Sequence, residues 1–287
     1  MTAKNKAVLY IIFSAFGFSV MSLCVKLSGD LPSIEKSFFR NIVAAVIALV
    51  ILVRSHTGFS FQRRNLPLLI LRSALGTIGI FCNFYAVSHL VLSDASMLNK
   101  LSPFFTLFFS WLILKEKLSP LQGISVLIAF LGSLLIIKPS FDLTAAWPAL
   151  AGFIGGLSAG GAYTCVRALG VRGERGPLIV FFFSVFSCAA SIPFMVTDFV
   201  PLTLTQLLLL LGAGGGAAIG QFGITAAYKY APAREISLYD YTMVVFSAIW
   251  GILFFHELPD IFSFLGYVII FAMAALMFVY NNRHSEA

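Results

Sequence analysis

The sequence predicts a bundle of ten membrane-spanning α-helices, all-α and polytopic, built as two inverted five-helix repeats. Three observations predict it: very little charge, a succession of apolar runs each about one bilayer long, and an internal repeat at a single offset. Of 287 residues, 59% are hydrophobic and 11% charged, against about 25% charged in an ordinary soluble domain. So few charges cannot clothe a surface in water, whereas hydrocarbon requires none.

A crossing helix needs roughly 20 mostly apolar residues at about 1.5 Å each. In the first half such runs fall at 7–27, 34–53, 67–88, 95–114 and 119–138, and in the second at 147–168, 177–197, 204–228, 235–255 and 259–280. The first follows a short basic segment with no small-residue cleavage site after it, so it is expected to stay as a helix. Pro67, Pro120, Pro177 and Pro259 stand near the first turn of a run, where a missing N–H does no harm. Gly29-Asp30, Lys138-Pro139 and Asn281-Asn282 mark run ends. Barrel strands would alternate polar and apolar residues over about ten positions. These runs do not alternate, so their backbone groups must pair within helices.

The net charge of +7 follows from topology. With the N-terminus inside, thirteen Lys and Arg fall in the inner breaks and only Lys26, Lys36 and Lys138 in the outer ones. Cationic residues concentrate on the cytoplasmic side. The expectation is a multi-pass protein of the plasma (bacterial inner) membrane with both termini cytoplasmic, which an even number of crossings satisfies. A nucleic-acid partner is not expected. Cys24, Cys82, Cys165 and Cys188 all lie inside apolar runs, at spacings of neither a zinc site nor a redox pair, and read as structural thiols.

Shifting the chain by 141 residues superposes its halves without a gap, dividing it into 1–141 and 142–287. Cys24-Val25-Lys26 falls on Cys165-Val166-Arg167, Gly79 and Phe81 on Gly220 and Phe222, and Ser96 on Ser237. Asp94 falls on Glu235, Leu112 on Leu253 and Glu116 on Glu257. Five crossings per repeat is an odd number, so the second half enters from the opposite side. Inverted repeats of this kind recur in secondary transporters.

The stretches Phe84-Tyr85-Ala86, Ser93-Asp94-Ala95 and Ser102-Pro103-Phe104-Phe105-Thr106 lead into Leu112-Ile113-Leu114-Lys115-Glu116-Lys117-Leu118-Ser119 and Leu121-Gln122-Gly123. Phe254-Phe255-His256-Glu257-Leu258 is their counterpart in the second half. Together they resemble the ten-helix, EamA-type branch of the drug/metabolite transporter superfamily along nearly the whole chain. The resemblance implies a central pathway lined by runs 1–4 and 6–9, with runs 5 and 10 peripheral. It also implies alternating-access movement of a small organic metabolite: amino-acid-like, nucleoside-like cofactor or vitamin.

Ionisable groups within hydrocarbon are costly, and each is a functional candidate. Lys100 stands in run 4 beside a stripe of Asn99, Ser102, Thr106 and Ser110 at helical spacing. Asp240, Met243, Ser247 and Gly251 form the repeat-related face of run 9. The two faces are expected to meet across the midline, with Lys100 and Asp240 at the ends of a polar cavity or reaching to water. Arg72, Gly76, Gly79 and Asn83 share a face of run 3, with Asn83 the deeper ligand candidate and Arg72 near enough to a boundary to serve as an anchor. Arg40 can pair with Glu35 or meet an anionic substrate group. The candidate substrate contacts are Asn83, Tyr85, Asn99, Lys100, Ser102, Thr106, Tyr163, Gln221, Tyr239, Asp240 and Ser247. Asp240 and Glu235 are candidates for proton coupling, whereas Glu116 and Glu257 read as helix-end fixtures. Gly212, Gly216 and Gly220, four residues apart, predict a close helix crossing.

No Gly-x-x-x-x-Gly-Lys phosphate loop is present, and His56, His89, His256 and His284 lie in separate breaks. The reading is therefore a gradient- or exchange-driven transporter, with no cofactor, a small-molecule substrate, the lipid bilayer as surroundings and a monomer or homodimer as assembly. A passive channel or facilitator is the alternative, and a membrane-embedded enzyme a weaker one.

Overall fold

The computed structural model describes residues 3–55, 59–114, 119–137, 143–230 and 237–283, and among them there is helix and no strand. The elements are α1 (Ala3–Leu27), α2 (Ser33–Arg54), a 3-10 turn (Arg63–Asn65), α3 (Leu66–His89), α4 (Leu92–Asn99) and α5 (Ser102–Leu114). They continue with α6 (Pro120–Ile137), α7 (Leu143–Val171), α8 (Gly176–Asp198) and α9 (Leu204–Tyr230). A second 3-10 turn (Ser237–Tyr241), α10 (Thr242–Phe255) and α11 (Ile261–Arg283) complete the chain.

Eight of these, α1, α2, α3, α6, α7, α8, α9 and α11, contain apolar stretches long enough to cross a bilayer. The fourth and ninth runs also form, but each is broken. In the first half Pro103 has no N–H for the carbonyl of Asn99, so α4 cannot run straight into α5. Lys100 N–H donates to the Ser96 carbonyl oxygen at 3.0 Å, and Leu101 N–H closes the end of α4 with a shorter turn to the Leu98 carbonyl oxygen at 3.2 Å. In the second half the break between Tyr241 and Thr242 has no proline, yet it falls 141 residues later, on the positions corresponding to Lys100 and Leu101. The two breaks touch: the Tyr241 hydroxyl donates to the Lys100 carbonyl oxygen at 3.0 Å.

Helix pairing obeys the same exchange of halves. The α1–α9 crossing becomes α7–α3, α5–α7 becomes α10–α1, and α2–α9 becomes α8–α3; α2–α8 and α6–α11 map onto themselves. The two closest crossings use matching small residues. A Cβ on Gly220 would strike the Phe18 ring at 2.6 Å, and one on Gly79 would reach the Ala159 nitrogen at 3.4 Å, Gly79 and Ala159 being the repeat counterparts of Gly220 and Phe18. Gly216 sits as close, 2.8 Å from the Gly17 carbonyl oxygen for an added Cβ, whereas Gly212 meets only the Cys24 sulfur. Lipid offers helices no hydrophobic force toward each other, so close packing and bonds such as Ser14 Oγ to Gly220 O (2.6 Å) hold the crossing.

The two ends of the bundle are tied separately. At the end where α1 begins, Tyr10 stacks on Tyr230, and Glu174 accepts from the Gln62 backbone and the Asn65 amide, both at 2.9 Å. At the far end Gln206 bonds Ser28, and Glu35 accepts from the Val200 backbone. Large apolar side chains such as Val196, Leu204 and Leu208 point outward, as a lipid-facing rim requires. Helices α6 and α11 sit at the edge, packed mainly on each other through Gly132 and Gly266.

Candidate functional site

Among the described residues Glu35, Lys36 and Asp94 are buried on hydrogen bonds of their own, and buried charge lies in three further places, the first being the seam where the broken helices meet. Lys100 follows the C-terminus of α4, where the helix dipole favours a cation. Its ammonium lies 2.6 Å from Asp240 Oδ2, with the two side chains 7% and 15% exposed. Asp240 Oδ1 is buried and makes no hydrogen bond among the described residues. The seam is continued by Ser96 and Ser247, whose hydroxyls bond at 2.7 Å between α4 and α10.

The second place is the far end. Lys26 donates to Glu257 Oε1 and to the Leu90 carbonyl oxygen, both at 2.5 Å, while Glu257 Oε2 accepts from the Leu92 backbone at 3.2 Å. One ion pair thus ties α1, the α3–α4 turn and the end of α10. Glu257 is aimed by its neighbour: His256 takes a left-handed φ of 53°, letting the Glu257 N–H close onto the Gly251 carbonyl oxygen at 3.1 Å.

The third place differs. A cavity of about 60 Å³ lies between α2, α3, α8 and α9, lined by Arg40, Arg72, Gln221 and apolar side chains that include Ile47, Val180 and Phe183. Both arginines are 7% exposed. Arg40 donates through Nη1 to Asn41 Oδ1 at 2.6 Å, and Asn41 is held by Ser37 and Ser187. The Arg72 guanidinium lies over the Phe183 ring, 3.8 Å from its centroid. Gly76, one turn on from Arg72, leaves the space its Nη1 occupies. Arg40 Nε and Arg72 Nε and Nη1 have no hydrogen-bond partner, and no carboxylate pairs with either arginine among the described residues. Tyr163 is 42% exposed, yet it lies within electrostatic reach of Arg40, Arg72 and Asp240.

Of the residues singled out from sequence, the structure brings Lys100 and Asp240 together and sets Gln221 in the cavity wall, which Tyr163 does not line. Asn83 is buried against the α7 backbone at Gly155, and Asn99 approaches Gly156. Thr106 does not face run 9: it bonds the Ser102 and Gly160 carbonyl oxygens at 2.8 and 3.3 Å, holding α5 to α7. The break at Lys100–Leu101 resets the helical phase, so the stripe from Asn99 to Thr106 is not one face. Ser247 is engaged with Ser96, Tyr85 stacks on His89, and Tyr239 packs edge-on against Phe278. Arg40 does not pair with Glu35, whose Oε2 instead accepts from Val200. Arg72 is not a boundary anchor but turns inward. Glu235 and Glu116 lie outside the described residues. The signal was in the sequence: Arg40 and Arg72 both stand inside apolar runs, though neither is among the candidate substrate contacts read from it.

The sequence profile of the EamA-like transporter family matches the chain twice, over residues 5–138 and 146–279. Both ends of the second match lie 141 residues after those of the first, the offset read from the residues themselves. The chain belongs to the EamA-like transporter family. It is thus an EamA-type member of the drug/metabolite transporter superfamily and a secondary transporter of a small metabolite, not an enzyme. Among its relatives, the pseudopaline exporter CntI of Pseudomonas aeruginosa (strain UCBPP-PA14) is 35% identical over 268 residues, covering 93% of each chain. Solute carrier family 35 member G1 of Homo sapiens is 29% identical over 285 residues, covering 90% of this chain and 76% of that one. A solved crystal structure shares the fold with a TM-score of 0.67 at 16% identity, covering 94% of this chain and 96% of the other.

Proposed function

We propose that this EamA-family transporter sits in the plasma membrane with both termini cytoplasmic and exports its solute by alternating access. One observation carries alternating access: the arginine cavity reaches toward the end where α1 begins, through Ile51, Gly176 and Pro177, while Lys26 and Glu257 tie the opposite end. A solute entering from the cytoplasm meets Arg72 and Arg40 between the two halves. Leaving by the far end requires the Lys26–Glu257 tie to open. An exporter among the relatives supports export as the direction.

The Lys100–Asp240 pair, at the point where both broken helices meet, is the element placed to couple a proton. Protonation of Asp240 would release Lys100 and let the halves shift. Counterflow in proteoliposomes tests the reading. Solute preloaded inside should stimulate uptake of labelled solute from outside; equal flux without preloading means a passive facilitator. Asp240→Asn should abolish any pH dependence of flux, and an unaltered pH profile would remove Asp240 from coupling. Membrane-impermeant labelling of single cysteines at positions 6 and 280 should occur only from the cytoplasmic face.

A further inference from the structure

We propose that Arg40 and Arg72 form a binding site for the carboxylate of an organic solute whose apolar body lies along Ile47, Val180 and Phe222. Two guanidiniums, each more than nine-tenths buried, face one cavity with three N–H-bearing nitrogens unpartnered among the described residues. Like charges brought together away from water are unfavourable unless an anion joins them. Planar guanidinium forks match a carboxylate's two oxygens, each of which accepts more than one bond. The neighbouring polar groups do not supply that anion: Asn41 offers Arg40 only an amide oxygen, and Phe183 offers Arg72 only a ring face. A cavity of about 60 Å³ holds a headgroup rather than a whole metabolite. The walls beyond it are apolar, which fits an aliphatic or aromatic acid better than a sugar phosphate. Arg40 comes from the first half's α2 and Gln221 from the second half's α9, so an occupant touches both moving parts.

The proposal uses the transporter reading only to give the site its role; binding can be measured without flux. The full chain, purified in a neutral detergent, is titrated with phenylacetate and hexanoate, with the matching amides, and with phenyl phosphate. Saturable stabilisation by an acid but not by its amide is expected, with the neutral analogue at least about tenfold weaker. Equal response to acid and amide, no response to either acid, or a response to phenyl phosphate alone overturns the assignment. Arg40→Gln and Arg72→Gln should each weaken acid binding by about tenfold or more, with a ligand-free melting temperature equal to or above that of the parent. A lowered melting temperature with acid binding retained would mean that the arginines hold the bundle instead. Gly76→Ala keeps both charges but occupies the space of Arg72 Nη1, so it should also weaken the acid; unchanged affinity there counts against the site. Acid binding without acid counterflow would sink the transport reading and leave the site standing. Counterflow of the amide at the acid's rate would do the reverse.

Discussion

Lys100 and Arg72 are both cations buried in the same bundle, yet their surroundings differ in one respect. Lys100 has a carboxylate 2.6 Å away; Arg72 has an aromatic ring and two unpartnered nitrogens. Desolvating an ion is costly, and a fixed counter-charge recovers much of that cost. Lys100 and Asp240 are therefore charge-balanced without a solute, although Asp240 Oδ1 makes no hydrogen bond among the described residues, and they sit where the two repeats touch. Arg40 and Arg72 are incomplete, and they sit where a cavity opens. The difference teaches that a charge in hydrocarbon is not by itself a ligand site. A cation beside its own carboxylate is charge-balanced within the bundle, and one with neither carboxylate nor a full set of hydrogen-bond partners leaves room for an anion.

Breaking the paired group should have the largest effect. Lys100→Met leaves Asp240 buried and alone, and it should lower unfolding stability by about 3–5 kcal/mol, measured by thermal or chemical unfolding in detergent. Adding Asp240→Leu to it should recover most of that loss, because the pair is then replaced by apolar contact. If the double variant stays as unstable as the single one, the pair is not a self-contained unit.

Removing the unpaired cation should act in the opposite direction. Arg72→Met should raise ligand-free stability by about 1–2 kcal/mol, the relieved desolvation outweighing a cation–π contact of about 1 kcal/mol. A loss of stability would erase the contrast on which the comparison stands.

The far-end pair is an intermediate case, since Glu257 is 25% exposed and water screens it in part. Lys26→Ala should cost about 1–2 kcal/mol, less than Lys100→Met. It should also increase labelling of a cysteine placed near Leu90, as the far end loosens. The smallest effect belongs to the cap that aims Glu257. His256 holds a left-handed backbone that glycine adopts without steric cost. His256→Gly should stabilise the protein by up to about 1 kcal/mol in the same unfolding assay, with no change in solute binding.

Much of the frame was legible in the residues. Apolar length, the 141-residue offset and the small residues at Gly216 and Gly220 each report a local or one-dimensional property. The structure returns them as crossings, matched pairings and close backbone contacts. The break at Lys100 had a visible cause in Pro103, but the matching break at Tyr241 has none in its own sequence. The Thr106 stripe failed for the same reason: a face drawn at helical spacing assumes an unbroken helix.

The sequence by itself determined that the chain lies in a membrane as helices, that its halves are related, and which ionisable residues stand within apolar runs. Only the tertiary structure decided which of those charges meet. Lys26 finds Glu257 from 231 positions away, Lys100 finds Asp240 from 140 away, and Arg40 and Arg72 line one cavity with no carboxylate paired to either among the described residues. Hydropathy depends on composition along the chain and survives any rearrangement of the helices. Pairing falls off over a few ångströms and depends on where each long side chain turns once its helix has neighbours.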